Sequence, residues 1–286
     1  MSAIESYFSR LLNTRVRKLQ NRLFIGSAAV LLIFTIAPTA QGQTTVSAAT
    51  VQLNVGMLNL MPTPTTTDPP GSFKHVQPVD FDPGKTYLVQ AAWLSGIGCP
   101  TGASIALPNS TFTGVGGSAP YTDLACPTGD LNDQHNEGLL LVKTGPTNNF
   151  AAATAELINV KGITLTELGY DIRKSGGSGL SPLGSHCGAG APRFDVVTSD
   201  GNVHFIGCNS PPAVVEGSST GWVRLRWGAG ELAAAFPPIT PTDVVQRIVI
   251  VFDEGTDTSP DSFGAAILDN IDVNGTLVGE GSVTAN

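Results

Sequence analysis

The chain has 286 residues, with 23 acidic against 15 basic side chains and a formal net charge of −8. Five of the basic residues (Arg10, Arg15, Arg17, Lys18, Arg22) and one acid (Glu5) precede position 43, leaving 10 basic against 22 acidic, a formal −12. That balance excludes a nucleic-acid partner, whose affinity rests on neutralising phosphates, and favours solubility and an affinity for cations.

Behind the basic flank, Leu23 to Ala37 is an apolar run that ends at Pro38. A positive flank, an apolar run of about 15 residues and then small residues is the order of a secretory signal. Ala40 and Gly42 place small residues third and first before a cut, which predicts a signal peptide over residues 1–42. The run is short of the roughly 20 residues that span a bilayer. An uncleaved anchor is the alternative, because the basic segment is long. No later segment reads as a membrane span, so the expected destination is extracellular or periplasmic.

Cys99, Cys126, Cys187 and Cys208 all lie in the exported part. An even count in an oxidising compartment predicts two disulfides, and proximity favours Cys99–Cys126 and Cys187–Cys208.

Residues 43–72 include Pro62-Thr63-Pro64-Thr65-Thr66-Thr67-Asp68-Pro69-Pro70-Gly71, which predicts an extended segment. Thr50 to Gly56 alternates and reads as an early strand. Strand-forming runs then follow at Lys85–Leu94, Gly138–Lys143 and Ile163–Arg173. A hairpin is predicted from Arg193–Thr198 and Val203–Gly207, since Asp200-Gly201 between alternating runs supplies the positive φ of a tight turn. Cys187 precedes that hairpin and Cys208 closes it. The last strands are Trp222–Trp227, Val244–Phe252 and Ala265–Val273, and only Glu231–Phe236 reads as helical. The pattern predicts an all-β fold, a jelly-roll-like antiparallel β-sandwich with long loops, as one domain over residues 73–286. A split near residues 174–185 is the less economical division, because the final strands need earlier ones to complete a sheet.

Two segments carry a resemblance: Gln246-Arg247-Ile248-Val249-Ile250-Val251-Phe252-Asp253 and Gly264-Ala265-Ala266-Ile267-Leu268-Asp269-Asn270-Ile271-Asp272-Val273-Asn274-Gly275. Together they resemble the closing strands of carbohydrate-binding-module-like jelly rolls of bacterial secreted proteins. The resemblance implies a fold more than a function. The remainder resembles no characterised family.

Several constellations invite chemistry. Gly217-Ser218-Ser219-Thr220-Gly221 has the spacing of a serine-hydrolase elbow, but a strand follows where that motif needs a helix. His186, Cys187, His204 and Cys208 have zinc-ligand chemistry, but exported thiols bridge and zinc needs thiolates. His75 and His135 are isolated and read as exposed. Glu156, Glu167, Glu216, Glu231 and Glu254 are scattered, with no acidic pair on one strand face for glycoside hydrolysis. Asp253, Glu254, Asp257, Asp261 and Asp269 are the densest acidic group, and hard oxygen ligands beside Gly255 suit Ca²⁺. A solvated acidic loop is the plainer alternative. Alternation puts Trp222, Arg224 and Arg226 on one sheet face, a surface suited to sugar stacking or to carboxylates, with Val223, Leu225 and Trp227 in the core. An Arg–Trp stack covering a sheet edge is the bland alternative.

The expectation is thus a secreted, non-catalytic β-sandwich that binds glycans or other cell-surface or extracellular material. A secreted polysaccharide hydrolase and a structural envelope or matrix component are the alternatives.

Overall fold

A computed structural model describes residues 71–101, 105–107, 110–112, 126, 128–144, 151–174, 192–207, 211–219, 222–253 and 263–281. All belong to one unit, residues 44–286. Residues 1–70, which include the expected signal segment, and Cys187 and Cys208 lie outside the described residues.

Among the described residues, twelve of the fourteen strands form two antiparallel sheets. The first joins β1 (His75–Phe81), β6 (Ala152–Ile158), β12 (Val245–Phe252), β8 (Arg193–Thr198) and β9 (Val203–Ile206) in that spatial order. The second runs β10 (Val214–Ser219), β11 (Trp222–Gly228), β7 (Glu167–Lys174), β13 (Phe263–Val273), β5 (Gly138–Thr144) and β2 (Val89–Leu94), with β14 (Thr276–Val278) hairpinned onto β13. A two-stranded ribbon, β3 (Ile105–Leu107) with β4 (Ser110–Phe112), stands apart. Among the described residues one helical turn, α1 (Ala229–Ala233), follows β11. Among the described residues no helix is long and apolar enough to cross a membrane.

The sheets pack face to face because each strand commits one parity of apolar side chains to the interior. Ala153, Ala155, Leu157, Phe194, Val196, Ile248 and Ile250 from the first sheet meet Leu139, Leu141, Tyr170, Ile172, Val223, Leu225 and Trp227 from the second. Tyr170, Phe194 and Trp227 knit the two together, with ring centroids 5.2–5.9 Å apart. The polar ends of Tyr170 and Trp227 are satisfied by the carbonyls of Pro192 (3.0 Å) and Pro211 (2.8 Å).

The predicted hairpin β8–β9 forms, with Val197 opposite Val203 and Gly201 at φ +86° in the turn. Two predicted strands begin late. The strand expected from Lys85 starts at Val89, and the one expected from Ile163 starts at Glu167. In the second case Asn274 explains the delay: its Oδ1 accepts the Thr166 and Glu167 N–H groups, and its Nδ2 donates to the Thr164 carbonyl. Strand β6 escapes the sequence pattern altogether. Its Ala-Ala-Thr-Ala-Glu-Leu-Ile run favours helix locally, yet it is a buried central strand between β1 and β12.

Candidate functional site

Strand β11 has the predicted parity, but its outward face is not a surface. Trp222, Arg224 and Arg226 are 0%, 3% and 4% exposed. This corrects the expectation of an open Trp–Arg platform. Trp222 packs among Ile97, Leu140, Val142, Ala265, Ile267 and the Cys99–Cys126 pair, and its Nε1 donates to the Thr101 carbonyl at 2.9 Å. No face of the indole is open for a sugar.

The register explains where the arginines go. Arg224 lies opposite Asp171 on β7, and Asp171 lies opposite Asp269 on β13. Arg224 donates through Nε and Nη2 to the two oxygens of Asp171, at 2.7 and 2.8 Å, and through Nη1 to the Thr128 hydroxyl at 2.9 Å. Arg226 lies opposite Gly169 and reaches Asp272 at 3.1 Å. A Cβ on Gly169 would sit 2.4 Å from Arg226 Cδ and 2.7 Å from the Leu225 carbonyl oxygen, so glycine makes the passage. An irregularity in β13 between Asp269 and Asp272 turns Asn270 (φ +44°) so that its Nδ2 donates to Asp171 Oδ2 at 2.8 Å.

A roof covers this face. The Cys99–Cys126 disulfide, with Cα atoms 6.1 Å apart, clips residues 96–101 to the chain that continues through Thr128 to Glu137. Cys99 N–H donates to Asp269 Oδ2 (2.6 Å), and Asp130 N–H donates to Asn270 Oδ1 (2.9 Å). Asp130 Oδ2 accepts the Gly279 N–H (3.0 Å), and Arg173 Nη1 donates to the Thr101 carbonyl (3.3 Å). Arg173, Arg224 and Arg226 thus share a buried layer with Asp171, Asp269 and Asp272, and the roof buries Asp130 and Asp133 beside them. Burial still raises the Asp171 carboxyl above its ordinary range, against the pull of Arg224. Burial, and then repulsion from Asp171, pushes Asp269 much further up.

The calcium expectation is corrected as well. Asp253 ends the first sheet paired to Arg193 at 2.7 Å, while Asp269 is buried in the second sheet; Glu254, Asp257 and Asp261 lie outside the described residues. The group that the described residues do bring together is Cys99 Sγ, Cys126 Sγ and an Asp171 oxygen, within 4.8 Å of one another. Two sulfurs and one oxygen are the wrong donors for a hard ion that takes six to eight oxygens.

Two other motifs resolve into structure. His204 is buried with Nε2 2.9 Å from the Thr198 hydroxyl and Nδ1 2.9 Å from the Pro237 carbonyl, while His186, Cys187 and Cys208 lie outside the described residues. Ser219 ends β10 and the next element is strand β11, with no helix for a nucleophile elbow.

One feature escaped the sequence reading. Tyr87 is 86% exposed, and its backbone is left-handed at φ +57°, with Lys85 left-handed too at φ +50°. Asp82 holds this turn: its carboxylate accepts the Tyr87 N–H at 2.6 Å and the Thr86 hydroxyl at 2.9 Å, and its carbonyl accepts the Lys85 N–H. The available signal was Asp82-Pro83-Gly84, in which an aspartate caps a turn two to five residues on. The turn leaves the sheet at the end where Phe81 faces Ala152 and Phe252 faces Ala153, beside the Arg193–Asp195–Asp253 ion cluster of the same sheet end. There burial pushes Asp195 up to about 6 even with Arg193 2.8 Å away.

No family model and no curated protein matches this chain. Solved structures similar to it include a β-1,2-glucanase from Parabacteroides distasonis, 12% identical with a TM-score of 0.32, matched over 72% of this chain and 25% of its own. A family 11 carbohydrate-binding module from Clostridium thermocellum, in complex with a β-1,3-1,4-mixed-linked tetrasaccharide, is 12% identical (TM-score 0.29; 72% of this chain, 99% of its own). The family 11 module of the cellulosomal cellulase Lic26A-Cel5E of Clostridium thermocellum is 9% identical (TM-score 0.30; 77% and 96%). This chain therefore spans a quarter of the glucanase's length, and at such identities and scores the likeness carries no argument about function.

Proposed function

We propose that the protein is an exported, non-catalytic β-sandwich that holds extracellular glycans, with Tyr87 rather than Trp222 as the stacking ring. The observation that carries this is the Tyr87 turn. A left-handed backbone at a non-glycine residue costs about 1–2 kcal/mol, and here two such residues flank Thr86. Asp82 clamps the strained turn, and the outcome is a tyrosine held in water instead of folded onto the sheet. Strain kept at a surface position points to a role at that position. An exposed, preordered ring offers its face to the C–H side of a sugar, and its hydroxyl both donates and accepts.

The non-catalytic part of the reading is supported by four of the buried acids. Asp171, Asp195 and Asp272 each face an arginine, and Asp269 accepts backbone N–H groups beneath the roof. A glycosidase needs two carboxyl groups open to one cleft. A glycan array with the purified protein and with Tyr87→Ala tests the proposal. We expect binding by the wild type and at least a tenfold loss in the variant, about 1.4 kcal/mol, with an unchanged melting temperature. Binding that survives Tyr87→Ala would sink the site, and release of reducing sugar from a bound polysaccharide would move the protein to the hydrolase reading.

A further inference from the structure

Building on the Tyr87 reading above, we infer that the glycans held at this turn are acidic polysaccharides, whose sugars carry carboxylates, and that Lys85 is the cation that meets them.

Cations are scarce on this surface. Among the described side chains every arginine is buried or half-buried, and Arg193, Arg224, Arg226 and Arg247 each face a carboxylate. Lys143 is buried as well, with its Nζ donating to the Ala151 carbonyl. The exposed cations that remain among the described side chains are Lys74, Lys85 and Lys161. Of these three, Lys85 alone has a left-handed backbone, and it stands two positions from the exposed Tyr87 ring.

One residue sets both side chains. The Asp82 carbonyl accepts the Lys85 N–H at 3.0 Å, while its carboxylate accepts the Tyr87 N–H at 2.6 Å and the Thr86 hydroxyl at 2.9 Å. Lys85 is held at φ +50° and Tyr87 at φ +57°, so a costly conformation is kept twice within three residues. Strain retained at both positions points to a ring and a cation that act together.

The neighbouring acids leave Lys85 available. Slight burial raises the Asp82 carboxyl, but hydrogen bonds from Thr86 and Tyr87 and the charge of Lys143 hold it below its ordinary range. Asp80 accepts the Ala91 N–H at 2.6 Å. Among the described residues no carboxylate forms an ion pair with Lys85. Two aspartates and two lysines leave the turn neutral, and acids farther off than about 8 Å are screened at physiological salt. The net negative charge of the chain therefore does not shut an anionic polymer out of this turn. A tyrosine ring covers the C–H face of a sugar. An ammonium on a flexible four-carbon stem beside it can then reach the carboxylate that a uronic acid bears next to its ring oxygen.

Polygalacturonate, and the same polymer with its carboxyl groups reduced to alcohols, are titrated calorimetrically into the purified protein at about 0.15 M salt. For the wild type we expect the charged polymer to bind about two- to fivefold more tightly, the gain that one exposed ion pair gives. Lys85→Gln should erase that preference, Lys85→Arg should keep it, and Tyr87→Ala should weaken the binding of both polymers. Equal affinity of the wild type for the two polymers, or a preference that survives Lys85→Gln, would overturn the inference and leave the Tyr87 site standing. So would a wild type that binds other glycans and ignores polygalacturonate. Binding of both polymers that is undiminished in Tyr87→Ala would instead remove the site itself, and the inference with it.

Discussion

Replacing Arg224 with methionine keeps the side chain's length and removes its charge, and the buried layer converts that change into a large loss of stability. Arg224 makes two charge-assisted hydrogen bonds to Asp171 (2.7 and 2.8 Å) and one to the Thr128 hydroxyl of the roof. Without it, Asp171 remains fully buried with Asn270 at 2.8 Å, and its one other cation, Arg226, stands 3.7 Å away. Removing one partner of such a pair costs about 3–5 kcal/mol, chiefly because the other charge is left in a low-dielectric interior. For a unit of this size 1 kcal/mol moves the melting temperature by about 2–4 °C, so the expected drop is roughly 6–20 °C at pH 7. Asp171→Asn in the same chain should recover at least about 1 kcal/mol of the summed single losses, since it removes the stranded charge. Calorimetry of the wild type, both single variants and the double variant gives all four values. A fall of less than about 3 °C for Arg224→Met, or strict additivity in the cycle, would falsify the account of this layer as a mutually dependent ionic network.

The buried aspartates also set an unusual dependence on pH. Burial lifts Asp195 from 3.8 to about 6 and raises Asp171 and Asp269 as well, so the folded protein binds protons that the unfolded chain has released. Stability should therefore fall as pH rises from about 4 through 6, by about 3 kcal/mol for Asp195 alone. Asp200, held low by the Thr198 hydroxyl in an exposed turn, acts the other way but is screened by water. The melting temperature should be higher at pH 5 than at pH 8, and equal or reversed values would refute the reasoning. Gly169→Ala should cost about 1–3 kcal/mol, because its Cβ meets the Leu225 carbonyl oxygen at 2.7 Å and Arg226 cannot swing aside without leaving Asp272. Urea unfolding at constant slope measures it, and an unchanged midpoint would show that the arginine has another path.

Short-range chemistry made much of this molecule legible before any coordinates. Alternating apolar residues in β8, β9, β11, β12 and β13 predicted strands, because a pleated chain buries every second side chain whatever it packs against. Asp200-Gly201 placed the hairpin, since the positive φ of a tight turn is a local requirement. Parity correctly put Trp222, Arg224 and Arg226 on one face and Trp227 in the core, but parity names a face and not what covers it. That was decided at long range. The Thr101 carbonyl that caps Trp222 lies 121 positions earlier in the chain, and only the folded sheet brings Asp171 and Asp269 against the roof. Arginines that looked like a surface are interior for the same reason: their partners, Asp171 and Asp272, arrive on other strands. Strand β6 is the converse case, an alanine-rich segment with helical preference that becomes a strand because β1 and β12 satisfy its backbone on both sides. Tyr87 stands in solvent because the Asp82 carboxylate, five residues before it, ends the alternation that would have folded its ring onto the sheet.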